Sequence, residues 1–175
     1  MPGVSTVPFV GSHLPVLIHL VGRTTGPVLE LGSGLYSTPY LHWACFTAKR
    51  KLVTYESDPQ WFDFARQFAS AHHAIVTLDD LATADLSAPW SVAFVDYCQD
   101  GFRRFEAIQK LTHAEYVVAH DSELRADHHY RYSRVMPLFK YRYDFTAVWP
   151  PTAVFSNHHD VTQLRVAEGD DHASQ

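Results

Sequence analysis

Acids recur where five short apolar runs end: Glu30 in "VLELGSG", Glu56 in "TYESD", Asp79 and Asp80 in "LDD", Asp96 in "FVDYC" and Asp121 in "VVAHDSE". Aspartate in such places often caps a helix, and that role suits Asp58, which stands just before Pro59. It does not suit Glu30, which precedes two glycines, or Glu56, which precedes the cap. A carboxylate can accept both hydroxyls of a ribose, and Glu56 lies 22 residues beyond Gly34, a spacing that fits such a role. Asp96, His120 and Asp121 could handle a proton, since imidazole titrates near neutrality. Alternatively, Asp96 and Asp121 could hold Mg²⁺ through hard oxygen donors, with His120 or Glu123 as a third ligand.

These groups need a frame. Val28, Leu29 and Leu31 read as a buried strand, Gly32 and Gly34 as a turn, and Thr38 and Pro39 as the cap and first turn of a helix. A turn of this kind turns backbone amides toward a ligand. Further apolar runs at 51–55, 74–78, 91–95 and 115–119 read as strands. Helical patterns lie between them: one begins at Asp58 with Trp61, Ala65 and Phe68 on one face, another carries Phe102, Phe105, Ile108 and Leu111. Residues 81–90 lack a helical period. Such alternation means a parallel sheet with helices on both faces, an α/β doubly wound fold, in which ligands bind beyond the carboxyl ends of the strands. "KYRYDFTAVW" and "TAVFSN", joined through Pro150 and Pro151, read as a closing antiparallel hairpin.

The chain of 175 residues is read as one domain over 1–167 followed by a polar tail, 168–175. Its first 22 residues read as a leading helix, because they lack the basic start of a signal peptide. Cys45 and Cys98 are the only cysteines, in apolar surroundings and without CxxC spacing, which fits reduced thiols and a cytoplasmic setting. No apolar run reaches membrane-spanning length, about 18 residues. The net charge of −5 disfavours a broad grip on nucleic acid. The pairs His72-His73, His128-His129 and His158-His159 lack metal-binding spacing and read as exposed. Residues 125–143 interleave arginines with tyrosines, forming either an acceptor-recognition wall or a solvated face.

Gly32-x-Gly34-x-x-Ser37 loosely matches a dinucleotide fingerprint. Two features point elsewhere. Only about fifty residues follow the fifth strand, too few for a separate substrate domain, and Glu30 beside the turn would repel a pyrophosphate. It suits a cationic cofactor carrying an ammonium group. The segment "ELGSG", with "TYESD", "LDD", "FVDYC" and the final hairpin, resembles the class I S-adenosylmethionine-dependent methyltransferases over nearly the whole chain. The resemblance implies a Rossmann-like seven-stranded sheet of order 3-2-1-4-5-7-6 with strand seven antiparallel. It implies S-adenosyl-L-methionine held by Glu30, Gly32, Gly34, Tyr36, Ser37, Glu56, Asp79, Asp80 and Asp96. Tyr36 stands where that family's motif has a third glycine. Asp96, His120 and Asp121 would then be the catalytic group, acting on a small-molecule acceptor, on oxygen. The alternatives are methylation of nucleic acid and a non-catalytic domain that binds an adenosyl ligand.

Overall fold

The computed structural model describes residues 11–97 and 102–166. Five strands run parallel: β1 (Val28–Leu31), β2 (Leu52–Glu56), β3 (His73–Thr77), β4 (Val92–Val95) and β5 (Tyr116–Ala119). A hairpin of β6 (Tyr141–Phe145) and β7 (Thr152–Ser156) closes the sheet, with β7 antiparallel to both β5 and β6. The order is β3-β2-β1-β4-β5-β7-β6, the order that the sequence resemblance implies.

Alternation along the strands sends side chains into two apolar layers. Leu29, Leu31, Val95, Val117 and Phe155 meet Trp90, Ile108 and Leu111, the last two contributed by α4 (Phe102–Lys110) and the turn after it. On the other face Val28, Leu52, Phe94 and Val154 meet α1 (Leu14–Val21) and α2 (Ser37–Thr47) through Leu17, Leu20, Leu41 and Cys45. Each large side chain fully buried in this way stabilises the fold by about 1.5–3 kcal/mol. The sheet is therefore a rigid base for whatever projects from its edge.

Register decides what projects. Leu31 lies opposite both Tyr55 and Val95, and Val95 lies opposite Ala119. The next residue on each strand is therefore at the same level: Gly32, Glu56, Asp96 and His120 form one row across the carboxyl edge. Four separate sequence signals thus meet in one line.

Several expectations need correction. Thr38 is inside α2 rather than its cap; the helix begins at Ser37, and the Thr38 hydroxyl is engaged elsewhere. Trp61, on α3 (Pro59–Ala65), is exposed rather than core, because the helix is short and turns its tryptophan toward the cleft side. His73 is buried in β3, where it lies 2.8 Å from the Thr54 hydroxyl, whereas the pairs His128-His129 and His158-His159 are exposed as expected. Asp58 caps α3 as expected, accepting from the amides of Gln60 and Trp61. Of the leading helix expected over the first 22 residues, Leu14–Val21 forms α1, and residues 1–10 lie outside the described residues. Cys98 and the polar tail, 168–175, lie outside the described residues.

Candidate active site

The glycine turn is held from both sides. Gly32 has φ +88°, and a Cβ there would come within 2.6 Å of the Tyr97 backbone, so only glycine fits where the turn passes β4. The Ser33 amide and hydroxyl both donate to Glu56 Oε2 at 2.7 Å. The Gly34 amide donates to Thr38 Oγ1 at 3.0 Å, and that hydroxyl donates in turn to the Glu30 carboxylate.

The two glutamates have different surroundings. Glu30 is fully buried among Thr38, Thr54 and Ser37, with the Thr54 hydroxyl donating at 2.6 Å. Burial pushes its carboxyl up to about 7, against the lowering effect of those hydroxyls. It is a brace beneath the turn and does not line the cleft. Glu56 does line the cleft. Its second oxygen accepts from the amides of Ser57 and Asp58, so the carboxylate is fixed in place by four donors.

At the other end of the row, Asp96 Oδ2 lies 3.2 Å from His120 Nδ1, and Asp121 Oδ1 lies 3.4 Å from the same nitrogen. Burial opposes charge on His120, but the hydrogen bond and charge of Asp96, with the charge of Asp121, outweigh it and raise its pKa. Burial would raise the Asp96 carboxyl; His120 and Arg104 together hold it below its usual range instead. Asp121 has φ +53°, a left-handed conformation uncommon for a non-glycine residue, and local strain of this kind often accompanies functional sites.

Arg104 organises this end. Its guanidinium is almost fully buried and donates to the carbonyls of Tyr97 and His120, to Tyr132 Oη and to Asp96 Oδ1. It stands 3.5 Å from Asp121 Oδ2 and lies 3.8 Å from the Tyr130 ring centroid. Tyr130 and Tyr132 come from the tyrosine-rich stretch 125–143, so that segment supports the site through Arg104, while none of its arginines lines the cleft.

His13, just before α1, packs on Phe94 and sets its ring edge-on to His120, with centroids 4.7 Å apart. It is 3% exposed, and neither ring nitrogen has a hydrogen-bond partner among the described residues. Burial, then the neighbouring His120, lowers its pKa to about 4, so it is neutral at physiological pH. An unpartnered buried polar group costs about 1–3 kcal/mol.

A cavity of about 470 Å³ joins these parts: His13, Ser33, Gly34, Leu35, Tyr36, Trp61, Asp96, His120, Asp121 and Pro150 line it. A smaller recess of about 180 Å³ beside it adds Gly32, Glu56, Ser57 and Asp58 and shares Ser33, Trp61 and Asp96. Of the sequence-derived candidates, Gly32, Gly34, Tyr36, Glu56, Asp96, His120 and Asp121 come together here. Glu30 and Ser37 lie buried beneath the turn. Asp79 and Asp80 are exposed on the loop after β3 and line neither space; Asp80 accepts from the Ala82 amide. The sequence reading missed Arg104 and His13. Arg104 had a signal, because it occupies the buried face of α4 at the spacing 104, 107, 108, 111. His13 had none.

The geometry does not support the oxygen-donor Mg²⁺ site expected from Asp96 and Asp121. Arg104 engages an oxygen of each carboxylate, and neither Asp121 nor Glu123 joins a three-donor group among the described residues. No helix among those residues is long and apolar enough to cross a membrane.

No family model and no curated protein matches the sequence. Solved structures do match the fold. Rv0187 from MTB, in cofactor-bound form, is 20% identical at a TM-score of 0.62, covering 90% of this chain and 83% of its own. A Klebsiella pneumoniae protein assigned as an O-methyltransferase is 16% identical at a TM-score of 0.60, covering 85% and 80%. Spermidine synthase from Thermotoga maritima is 15% identical at a TM-score of 0.57, covering 85% of this chain but 60% of its own. At these identities the likeness is one of fold, and the fold is the Rossmann-like fold of class I methyltransferases.

Proposed function

We propose that this chain is an S-adenosylmethionine-dependent methyltransferase, with residues 1–167 as one catalytic domain and a small molecule as the acceptor. The observation that carries the reading is the charge of the cleft. Glu56, Asp58, Asp96 and Asp121 face it, and its lining among the described residues contains no lysine or arginine. A pyrophosphate or a nucleic-acid backbone would meet four carboxylates there and no lysine or arginine among the described residues. A sulfonium cofactor with an ammonium group meets complementary charge. The combined space is in the range that holds a small ligand, roughly 300–1,000 Å³. The fold likeness to an O-methyltransferase assignment supports the same reading.

In this reading the Ser33 hydroxyl turns to the Trp61 carbonyl, 3.2 Å away, and Glu56 accepts a ribose hydroxyl in its place, while the Ser33–Gly34 turn, braced by Glu30 and Thr38, lies along the methionine part. Tyr36 and Trp61 wall the cleft, while Asp79 and Asp80 stand at the outer, adenine side. The acceptor approaches from the His120 end. Its oxygen forms a bond to the methyl carbon as the carbon–sulfur bond breaks, and the electron pair returns to sulfur, leaving a neutral thioether. The hydroxyl proton passes to His120, whose hold on a proton Asp96 and Asp121 strengthen. Oxygen is favoured as the target because the group is built to accept a proton.

Calorimetry of the purified protein tests this reading. S-adenosylmethionine or S-adenosylhomocysteine should bind, and Glu56→Gln should weaken binding about ten- to hundredfold, the worth of a charged hydrogen bond. Tight NAD binding without either adenosyl compound would refute it.

A further inference from the structure

We propose that His13, Asp96 and His120 form a binding site for a divalent transition metal, of the Zn²⁺, Co²⁺ or Fe²⁺ kind, at the acceptor end of the cleft. One ligand atom from each lies within 4.8 Å of the others, and this is the three-donor group found among the described residues. The three come from distant parts of the chain: the segment before α1, the end of β4 and the end of β5.

The local geometry fits shared ligation. His120 Nδ1 and Asp96 Oδ2 are 3.2 Å apart, close to the separation of two ligands on one ion with bonds of about 2.0–2.1 Å. The other His120 nitrogen lies 2.8 Å from Ser12 Oγ. A metal-bound imidazole commonly fixes its free N–H on such a partner, which sets ring orientation and tautomer. Ser12 adjoins His13, so one short segment supplies both a ligand and the group that orients another.

His13 gives the independent observation. It is almost fully buried, it lines the cavity, and its ring nitrogens lack partners among the described residues. A cation between the two rings would satisfy it. Two carboxylates, Asp96 and Asp121, lie at the site against a single arginine, Arg104. Two imidazoles with one carboxylate suit first-row transition metals, whereas Mg²⁺ prefers oxygen donors and near-ideal octahedral geometry. Three protein ligands would leave positions open toward the cavity. If the methyl-transfer reading holds, an acceptor hydroxyl bound there would lose its proton more readily, and with His120 on the ion the proton would pass to Asp121, which also lines the cavity. Metal binding itself needs neither cofactor nor acceptor.

The test uses full-length protein stripped with chelator and titrated with Co²⁺, followed by visible absorption and calorimetry, without any adenosyl compound. The expected result is one Co²⁺ per chain with a ligand-field band, displaced by Zn²⁺ and not by Mg²⁺. His13→Ala should weaken binding by about 100-fold and Ser12→Ala by about tenfold. His13 has no hydrogen bond to lose among the described residues, and circular dichroism of both variants should match the parent. His120→Gln provides a second ligand variant. Absence of a ligand-field band, equal affinity for Mg²⁺, or binding unchanged in His13→Ala would each overturn the proposal, the last by placing the ion on other histidines. A failure here leaves adenosyl binding untouched, and a failure of adenosyl binding leaves the Co²⁺ titration intact.

Discussion

Glu30→Gln separates a buried brace from a ligand-facing acid, and the structure sets the size of the effect. Glu30 is fully buried, and burial moves its carboxyl from 4.5 up to about 7. A raised acid binds its proton more tightly in the folded state than in the unfolded chain. Its contribution is therefore most favourable below about pH 4.5, and stability falls as pH rises until the folded group has also ionised, near pH 7 to 8. Between pH 5 and pH 8 the loss is about 2.5 kcal/mol, from roughly 1.4 kcal/mol per unit of displacement. Glutamine resembles the protonated acid in offering one acceptor and one donor to the hydroxyls of Thr38 and Thr54. The variant should be nearly as stable as the parent at pH 5 and more stable at pH 8 by about 2 kcal/mol. Urea unfolding of both proteins at the two pH values measures the difference. A stability difference that does not change with pH would refute the reasoning, because it would mean that Glu30 does not titrate in this window.

Gly32→Ala should destabilise the fold by about 3 kcal/mol or more, because its Cβ would collide with the Tyr97 backbone at a positive φ. Gly34→Ala meets only the Ser37 hydroxyl, at 3.1 Å, and should cost under about 1 kcal/mol; equal thermal shifts for the two would contradict the turn geometry. Arg104→Met leaves Asp96 and Asp121 without their shared cation and should cost about 3–5 kcal/mol in denaturant unfolding. A loss below about 1 kcal/mol would show that the two carboxylates do not depend on it.

The sheet was legible because its signals are local and repeated. Each parallel strand is a short apolar run, and the acids mark where the runs end. Strand order came from the family resemblance, since periodicity shows that strands exist and not which ones are neighbours. The side chains of the row Gly32, Glu56, Asp96 and His120 were all named from sequence. Their alignment depends on register, which pairs Leu31 with Tyr55 and Val95 and cannot be read from any one run. Glu30 was named for a charge facing a ligand, yet it lies beneath the turn on hydroxyls from α2 and β2. A strand's alternation reveals that a residue is on one face; it does not reveal that a helix will cover it.

Arg104 and His13 show two further limits. Arg104 breaks the apolar face of α4, and its position there required a buried partner, because an unpaired guanidinium in a core is too costly. The pattern announced a need without naming Asp96 and Asp121 as its answer. His13 breaks no pattern. It directly precedes Leu14, the first residue of α1, and it reaches the cleft only because α1 packs across the sheet face that carries Phe94. That packing delivers Ser12 and His13 to the end of β5, more than a hundred residues later in the chain. The Glu56 end of the cleft is thus built from adjacent strand–turn units, whereas the His120 end is assembled by long-range packing. The His120 end is therefore the part of the cleft where local sequence patterns are least informative.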